Sequence, residues 1–558
     1  MKNYRQKLRS LLSAEKNLSK EGGRNSGGIL RVCLVSPSGY RTGMSSLGFQ
    51  KVYSLLASFP DLFCDRAFLP DPEDIRLFRS GRGEILSIES ERPLSDFDVI
   101  AFSTSFEPDY LSIPLILDVA SIPLFSSART GAEPLIIGGG AAFFINPEPV
   151  ADFFDIICIG EGESLIPLLF SELTRRSSET RESLLKRLGS IPGVYIPSSA
   201  IGAECDDNTG KNCLSPVRRL SADLDTTTPA STVILTEKCE FGDMFLVEVS
   251  RGCPRGCRFC TSAFIYSPFR QHRLEPLLQL AKEGISQGKK IGLVGAAVSD
   301  YAGIGELCRK IVEAGGRVSV SSLRIDRLDD EMIDALVKSG HKTISLAPEG
   351  GSQRLRDLMR KNLTEEQIIS ASTLLFSRGI LNLKLYFIIG LPTETDDDIR
   401  ELLRLVHAIR EKLLQEAKTR GRIGKITISV NPFIPKPFTP FQWCGMEPLE
   451  TLGKKFRILE KEIRKAPNLK LKMESLKGAY LQAVLSRGDR SLSRLIATMA
   501  AGENLKRGAE KHGIDTDRIA HGSMGLNEPL PWDKIVSADK ELLGREFENA
   551  LSRVQTDE

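Results

Sequence analysis

Three closely spaced cysteines carry the clearest chemistry in this chain. Ser250-Arg-Gly-Cys253-Pro-Arg-Gly-Cys257-Arg-Phe-Cys260 sets thiols four and then three residues apart, with the aromatic Phe259 just before the last. A loop of that spacing can wrap three corners of a cubic iron–sulfur cluster. A structural zinc site usually takes four ligands, and no fourth partner lies nearby in sequence. With three thiolates, one iron stays open, and an open iron can chelate an amino and a carboxylate group. Cys253, Cys257 and Cys260 are therefore the candidate ligands of a 4Fe–4S cluster that passes electrons into a molecule bound on it.

Such a loop needs a rigid frame. It follows the apolar run Phe245-Leu-Val-Glu-Val249, and five more short apolar runs occur at 290–294, 318–322, 343–346, 383–389 and 426–430, with helix-patterned segments between. Six βα units predict a partial (β/α)6 TIM-type barrel over 245–445, with function at the strand C-termini. The residues there are Ala296, Ser299 and Asp300 after the second strand, and Ser321 and Arg324 after the third. Glu349, followed by Arg354 and Arg356, comes after the fourth, and Gly390 after the fifth. Glu349 can hold an amine or a ribose hydroxyl, and an arginine can take a carboxylate bidentately. Gly390 lets a flat ring approach the backbone. Taken singly, each residue reads equally well as an ordinary turn residue.

The segment before the barrel alternates in the same way. Strands are expected at 32–35, 99–103, 134–138 and 156–160 with helices between, which predicts a doubly wound α/β domain over 30–184. Its strand ends carry Ser36, Ser103, Gly139 and Gly160, small residues against which a large flat ligand can lie. Residues 1–29 form a basic extension, a short helix ending in Glu-Gly-Gly-Arg-Asn-Ser-Gly-Gly, which reads as a flexible linker. Residues 185–244 are a linker with short strands. Residues 446–558 read as a helical C-terminal module.

With these pieces in place the chain resembles the radical S-adenosylmethionine (SAM) proteins with an N-terminal cobalamin-binding-like domain, and more narrowly a bacterial family among them. The matching stretches are Gly43 to Gly48, Asn146-Pro-Glu-Pro149, Ala347 to Arg356, Leu385 to Thr395, Pro435 to Trp443, Arg487-Gly-Asp-Arg490 and Leu530-Pro-Trp-Asp533. The resemblance implies a 4Fe–4S cluster and SAM, cleaved to a radical that abstracts hydrogen from a substrate. Under it, Ala296, Ser299 and Asp300 stand where the superfamily presents backbone carbonyls to the methionine amine. It also implies an electron donor such as a flavodoxin or ferredoxin. Cobalamin is implied by the N-terminal domain, but no histidine falls within 30–180 to ligate its lower face. A corrin site and a relic domain that only shapes a substrate channel both stay open. Methylthiotransferases share the architecture and carry three extra N-terminal cysteines, a pattern not recognisable here. Cys205, Cys213 and Cys239 match no compact cluster loop, and Cys33 and Cys158 read as core residues. Trp443 and Cys444 read as packing.

Bulk properties narrow the setting. At 558 residues and 41% hydrophobic, the chain fits two or three domains. Eleven scattered cysteines do not form a disulfide framework. No apolar run is long enough to span a bilayer, so no membrane is expected and the cytoplasm is the default. The net charge of +3 hides an asymmetry: residues 453–512 hold 15 Lys and Arg against 6 Asp and Glu. One reading is a solvated helix face. The other is a docking surface for RNA or a ribosomal partner, presented by Lys454, Lys455, Arg457, Lys461, Arg464 and Lys465. Two functions follow: radical SAM chemistry that includes cobalamin-dependent methylation, or cobalamin-free modification of RNA or a ribosome-associated protein.

Overall fold

Six segments in the first half of the chain, five of them apolar runs, form strands that share a sheet: β1 (Leu30–Ser36), β2 (Leu62–Phe68), β3 (Val99–Ser103), β4 (Leu135–Gly139), β5 (Ile156–Cys158) and β6 (Val194–Tyr195). They form one sheet in the order β2-β1-β3-β4-β5-β6. All neighbours are parallel except β6, which runs antiparallel to β5. Val32, Leu34, Val99, Ile100 and Ile136 are fully buried, as strands covered on both faces by helices must be. The strand order reverses between β1 and β3, the place where doubly wound sheets bind ligands beyond the strand ends. The computed structural model describes residues 2–19, 29–59, 61–175, 179–200 and 215–555. The expected linker at 21–28, and Cys205 and Cys213, lie outside these.

β2 has no simple apolar signature because Asp65 and Arg66 sit at its centre, both buried. Asp65 accepts from the Ser87 hydroxyl at 2.7 Å and the Ser90 N–H at 3.1 Å. Arg66 lies between Glu89 and Glu15, each at 2.6 Å. Glu15 belongs to the N-terminal extension, whose helix Lys2–Ser13 and strand Glu15–Asn17 pack into the same unit. Three of that extension's cations are paired, Lys7 with Asp71 and Asp74, and Arg5 and Arg9 with Glu91.

The chain divides into two units, and the division corrects the expectation of a single C-terminal module. Residues 485–516 and 529–537 belong with 1–243; residues 517–528 and 538–558 belong with 244–484. The physical reason is a set of buried polar contacts that local pattern does not reveal. Asn146 Nδ2 donates to the carbonyls of Ser486 (3.1 Å) and Gly488 (2.8 Å), and the Ser486 hydroxyl donates to Glu107 at 2.9 Å. Arg490 donates to Glu148 at 3.1 Å and to the Tyr195 hydroxyl at 2.6 Å. The Asn-Pro-Glu-Pro and Arg-Gly-Asp-Arg stretches thus recognise each other inside one fold.

The second unit is the barrel: β7 (Met244–Glu248), β8 (Lys290–Val294), β9 (Val318–Val320), β10 (Thr343–Glu349), β11 (Asn382–Ile389), β12 (Ile426–Pro432) and β13 (Leu469–Met473). β7-β8-β9 and β10-β11-β12-β13 are parallel ladders, joined by a parallel bridge between Leu323 and Leu346. β13 is a seventh strand where only helices were expected. Its Leu-Lys-Leu-Lys-Met alternates in period two, leucine toward the helices and lysine away. The alternation on β11 is equally plain: Leu383, Leu385, Phe387 and Ile389 are buried under the outer helices, while Lys384, Tyr386 and Ile388 face inward and are half-buried.

Candidate functional site

The cysteine loop leaves β7 through Ser250 and closes as a tight wrap. Gly252 and Gly256 both have positive φ, and a Cβ at Gly252 would stand 2.6 Å from the Tyr266 carbonyl oxygen. Cys257 is buried and Cys253 and Cys260 are partly so. Burial pushes all three thiols above their ordinary pKa, and each lies within electrostatic reach of another of the three. Lys361 and Arg324 pull Cys257 the other way. Among the described residues no group of His, Cys, Asp or Glu is arranged to hold a single metal ion. A cubic cluster asks for something else, one thiolate on each of three irons.

The loop is held from below. Arg258 is buried; its N–H donates to the Met359 carbonyl at 3.0 Å, and its guanidinium to the Leu358 carbonyl at 2.9 Å and to Glu546 at 3.2 Å. Glu546 also takes Arg360 at 2.8 Å. Phe259 packs against a buried cluster made by Leu355, Leu358, Met359, Leu391, Phe433, Phe441 and Ala550. Glu546 and Ala550 lie on the helix Lys540–Gln555, so the C-terminal helix buttresses the cysteine loop. Trp443 is buried against Phe547, and Cys444 packs on the same cluster, as expected.

A second network ties the loop to the strand ends. Arg255, within the Cys-Pro-Arg-Gly-Cys turn, donates through Nε to Asp300 at 3.0 Å and meets Asp326 at 3.3 Å. Arg324 pairs with Asp326 at 2.9 Å and its N–H donates to the Ser299 hydroxyl at 3.1 Å. The structure therefore brings Asp300, Ser299 and Arg324 together, but as braces for one another. Ala296 and Ser321 are exposed beside them. Glu349 has φ +66° and meets Lys361 at 3.3 Å, both within reach of Cys257.

The expectation that Arg354 or Arg356 meets a ligand carboxylate is corrected. Arg356 is fully buried and spends its donors on the carbonyls of Gly350, Gly351 and Leu363. Arg354 is held by Asp398 and Thr393. Gly390 is a glycine by necessity, with φ +76° and a would-be Cβ 2.7 Å from Leu452 and 3.1 Å from Glu447. Its N–H donates to Glu394 at 2.8 Å. Buried Lys455 lies between Glu394 (2.7 Å) and Glu447 (2.8 Å), a group that sequence reasoning assigned elsewhere.

That placement also takes Lys455 out of the expected basic face. On Leu449–Ile463 and the turn after it, Lys454 pairs with Glu450, Arg464 with Glu460 and Lys465 with Glu462. Three of the six expected phosphate-face cations thus pair on their own element, and a fourth, Lys455, is buried between Glu394 and Glu447.

In the first unit, Gly140 rather than Gly139 makes the close approach. Gly140 has φ +115°, and its Cβ would fall 2.3 Å from the Thr104 carbonyl oxygen, whereas a Cβ at Gly139 would sit 3.6 Å from Cys158 Cβ. Gly160 is not an open strand end: it bridges Leu220, whose carbonyl oxygen would be 2.6 Å from an added Cβ. The switch point itself keeps Ser36, Ser103 and Thr104, and Thr104 Oγ1 is buried with no hydrogen-bond partner.

Buried oxygens without a hydrogen-bond partner also ring the barrel's strand ends: Ser250 Oγ, Asp300 Oδ2, which lies 3.8 Å from Arg324 Nε, and Glu447 Oε2. Three thiols within electrostatic reach of one another, and buried oxygens that can accept from an amine, a ribose or a base, are donor types that suit a cluster and SAM.

Comparison with known proteins agrees with this chemistry. Residues 48–197 match the family described as "Radical SAM proteins, N-terminal", and residues 247–406 match "Radical SAM superfamily". An uncharacterised protein of Methanocaldococcus jannaschii, MJ0966, is 30% identical over 84% of this chain and 91% of its own length. The chain belongs to the radical SAM superfamily, in one family with that protein. It is a radical SAM enzyme, and its cofactors are a 4Fe–4S cluster and SAM. The ribosomal protein uS12 methylthiotransferase RimO of Thermotoga maritima is 26% identical over 29% of this chain, which spans only 41% of that enzyme. A solved structure of the cobalamin-dependent radical SAM enzyme OxsB, with aqua-cobalamin and SAM bound, aligns over 95% of this chain and 80% of its own, with 14% identity and a TM-score of 0.48. No helix among the described residues is long and apolar enough to cross a membrane.

Proposed function

We propose that Cys253, Cys257 and Cys260 hold the 4Fe–4S cluster, that SAM lies across the strand ends at Ser299, Asp300, Arg324, Glu349 and Gly390, and that the substrate reacts inside the barrel. When bound, the cluster supplies the electron that cleaves SAM, and a small reductant protein such as a flavodoxin or ferredoxin supplies it in turn. The residues do the positioning. Arg258 and Glu546 fix the loop, Arg255 and Asp300 tie it to the second strand end, and the buried oxygens of Asp300 and Glu447 accept from donors on SAM. The observation that carries the reading is the wrapped, buttressed loop with its three mutually close thiols at the C-terminal end of the first barrel strand.

For the first unit we propose a corrin lying at the β1/β3 switch point, on Ser36, Ser103 and Gly139, with no histidine beneath it and with Gly160 outside the contact. Radical methylation is the reaction that a bound corrin would serve. Anaerobic reconstitution followed by ultraviolet–visible spectra, with and without hydroxocobalamin, tests both parts. Cluster absorption must appear and change with SAM, and corrin must stay bound after desalting to wild type but not to Gly139→Leu. Equal retention by both removes cobalamin from the account.

A further inference from the structure

The inner face of the barrel carries a row of cations that the radical chemistry does not use. Cross-strand partners point to the same side of a sheet. The register Ser345–Lys384–Thr427–Lys470 and the next row, Tyr386–Ser429–Lys472, therefore line one face of β10 to β13. That face is the inner one, since the alternate residues of β11 are buried under the helices. Lys384 and Lys470 stand two strands apart, about 10 Å, and Lys470 and Lys472 about 7 Å apart along one strand. Lys384 Nζ donates to the Tyr386 hydroxyl at 2.6 Å. Among the described residues none of the three lysines has a carboxylate partner. The carboxylates near the strand ends are taken, Glu248 by Arg251 at 2.6 Å and Glu349 by Lys361.

Lysines on an edge strand often do no more than block strand addition, and β13 is an edge. That explanation fails for Lys384. It sits on β11, with strands on both sides, and is half-buried. Three cations within about 10 Å of their neighbours on one face, with no carboxylate partner among the described residues, concentrate positive potential that a bound anion would meet. The hydroxyls of Tyr386, Thr427 and Ser429 add donors suited to a tetrahedral oxyanion.

We infer that this face binds phosphate, and that the substrate carries at least two phosphate groups along it. The Tyr386–Ser429–Lys472 row lies three residues below the end of β11, so the nearer phosphate stands about 10 Å from the strand ends where the cysteine loop begins. The inference rests on the reading that the substrate reacts inside the barrel, and it names that substrate's class.

The test is direct binding, independent of turnover. Inorganic pyrophosphate and a short single-stranded RNA are titrated into the full chain by calorimetry at low salt. Lys384→Gln/Lys470→Gln/Lys472→Gln is compared, and Lys470→Glu/Lys472→Glu serves as a second variant on exposed side chains alone, with near-ultraviolet circular dichroism checking both folds. Saturable pyrophosphate binding that weakens at least about tenfold in both variants supports a small phosphorylated substrate. RNA binding alone, with a log–log salt slope near −2 for three neutralised phosphates that flattens in the variants, supports a nucleic-acid source of the same groups. Absence of saturable binding of either probe by wild type, or equal binding by the variants, overturns the inference. SAM cleavage by the reduced wild type is measured alongside. Pyrophosphate binding without cleavage would sink the proposed reaction while leaving the phosphate site standing.

Discussion

Removing Glu546 should loosen the cysteine loop from a distance of nearly three hundred residues in sequence. Its carboxylate is shared by Arg258, whose side chain is only 3% exposed, and Arg360. Truncating one partner of a buried pair costs about 3–5 kcal/mol because the other charge is left without compensation. Glu546 keeps some contact with water and Arg258 keeps its bond to the Leu358 carbonyl, so the lower end, about 3 kcal/mol, is appropriate. The loss is local, since it falls on the loop and on the helix that buttresses it. Amide hydrogen exchange reads such local opening residue by residue. In Glu546→Ala the Arg258 amide, bonded to the Met359 carbonyl, and the amides of 543–552 should exchange about a hundredfold faster, at 1.4 kcal/mol per decade. Arg258→Met/Glu546→Met should recover most of the protection, because an apolar pair removes both charges together. Less than about a threefold change in the single variant, or a double variant no better than the single, would refute the buttress.

Gly140→Ala should destabilise the first unit by about 1–3 kcal/mol through its positive φ and the Thr104 carbonyl, whereas Gly139→Ala should be near neutral; paired thermal melts compare them. Lys455→Met leaves Glu394 and Glu447 facing each other in a buried site and should cost about 3–5 kcal/mol, while Lys454→Ala on the exposed face should cost under about 0.5 kcal/mol; chemical denaturation of the two variants measures the gap. Burial alone would raise the pKa of Glu248, but His272 and Arg251 more than offset it and bring it to about 2. A depressed carboxylate stabilises the fold above its unfolded pKa, and that stability fades as pH falls from about 4.5 toward 2. Denaturation across that window should show the decline in wild type and a flatter profile in Glu248→Gln.

Period-two and period-3.6 patterns made much of the frame legible. Lys290–Val294 and Val99–Ser103 have in sequence the ends they have in the fold because each is a short, nearly continuous small or apolar run, buried through its middle. β2 escaped because its centre is a buried Asp65–Arg66 pair whose partners lie at Ser87, Ser90, Glu15 and Glu89. β13 escaped because its lysines were counted as part of a basic helical segment rather than as one side of a strand. Tertiary partners decide the remaining differences. Lys455 looks like any surface lysine until Glu394 and Glu447 close around it. Glu546 carries no local sign of its role, and the return of 485–516 to the first unit is written in Asn146, Glu148 and Glu107. At the candidate site, spacing alone picked out the three cysteines, while the braces Arg255, Lys361 and Arg258 needed the fold to show which charge each one meets.

The proposed chemistry turns on the cysteine loop. The most direct test is the electron paramagnetic resonance spectrum of anaerobically reconstituted, dithionite-reduced protein, recorded with and without SAM, for wild type and for Cys253→Ala/Cys257→Ala/Cys260→Ala, with Cys33→Ala as control. We expect a reduced 4Fe–4S signal that shifts on adding SAM in wild type and in Cys33→Ala, and neither signal nor shift in the triple variant. A SAM-responsive cluster that survives loss of all three cysteines would contradict the assignment.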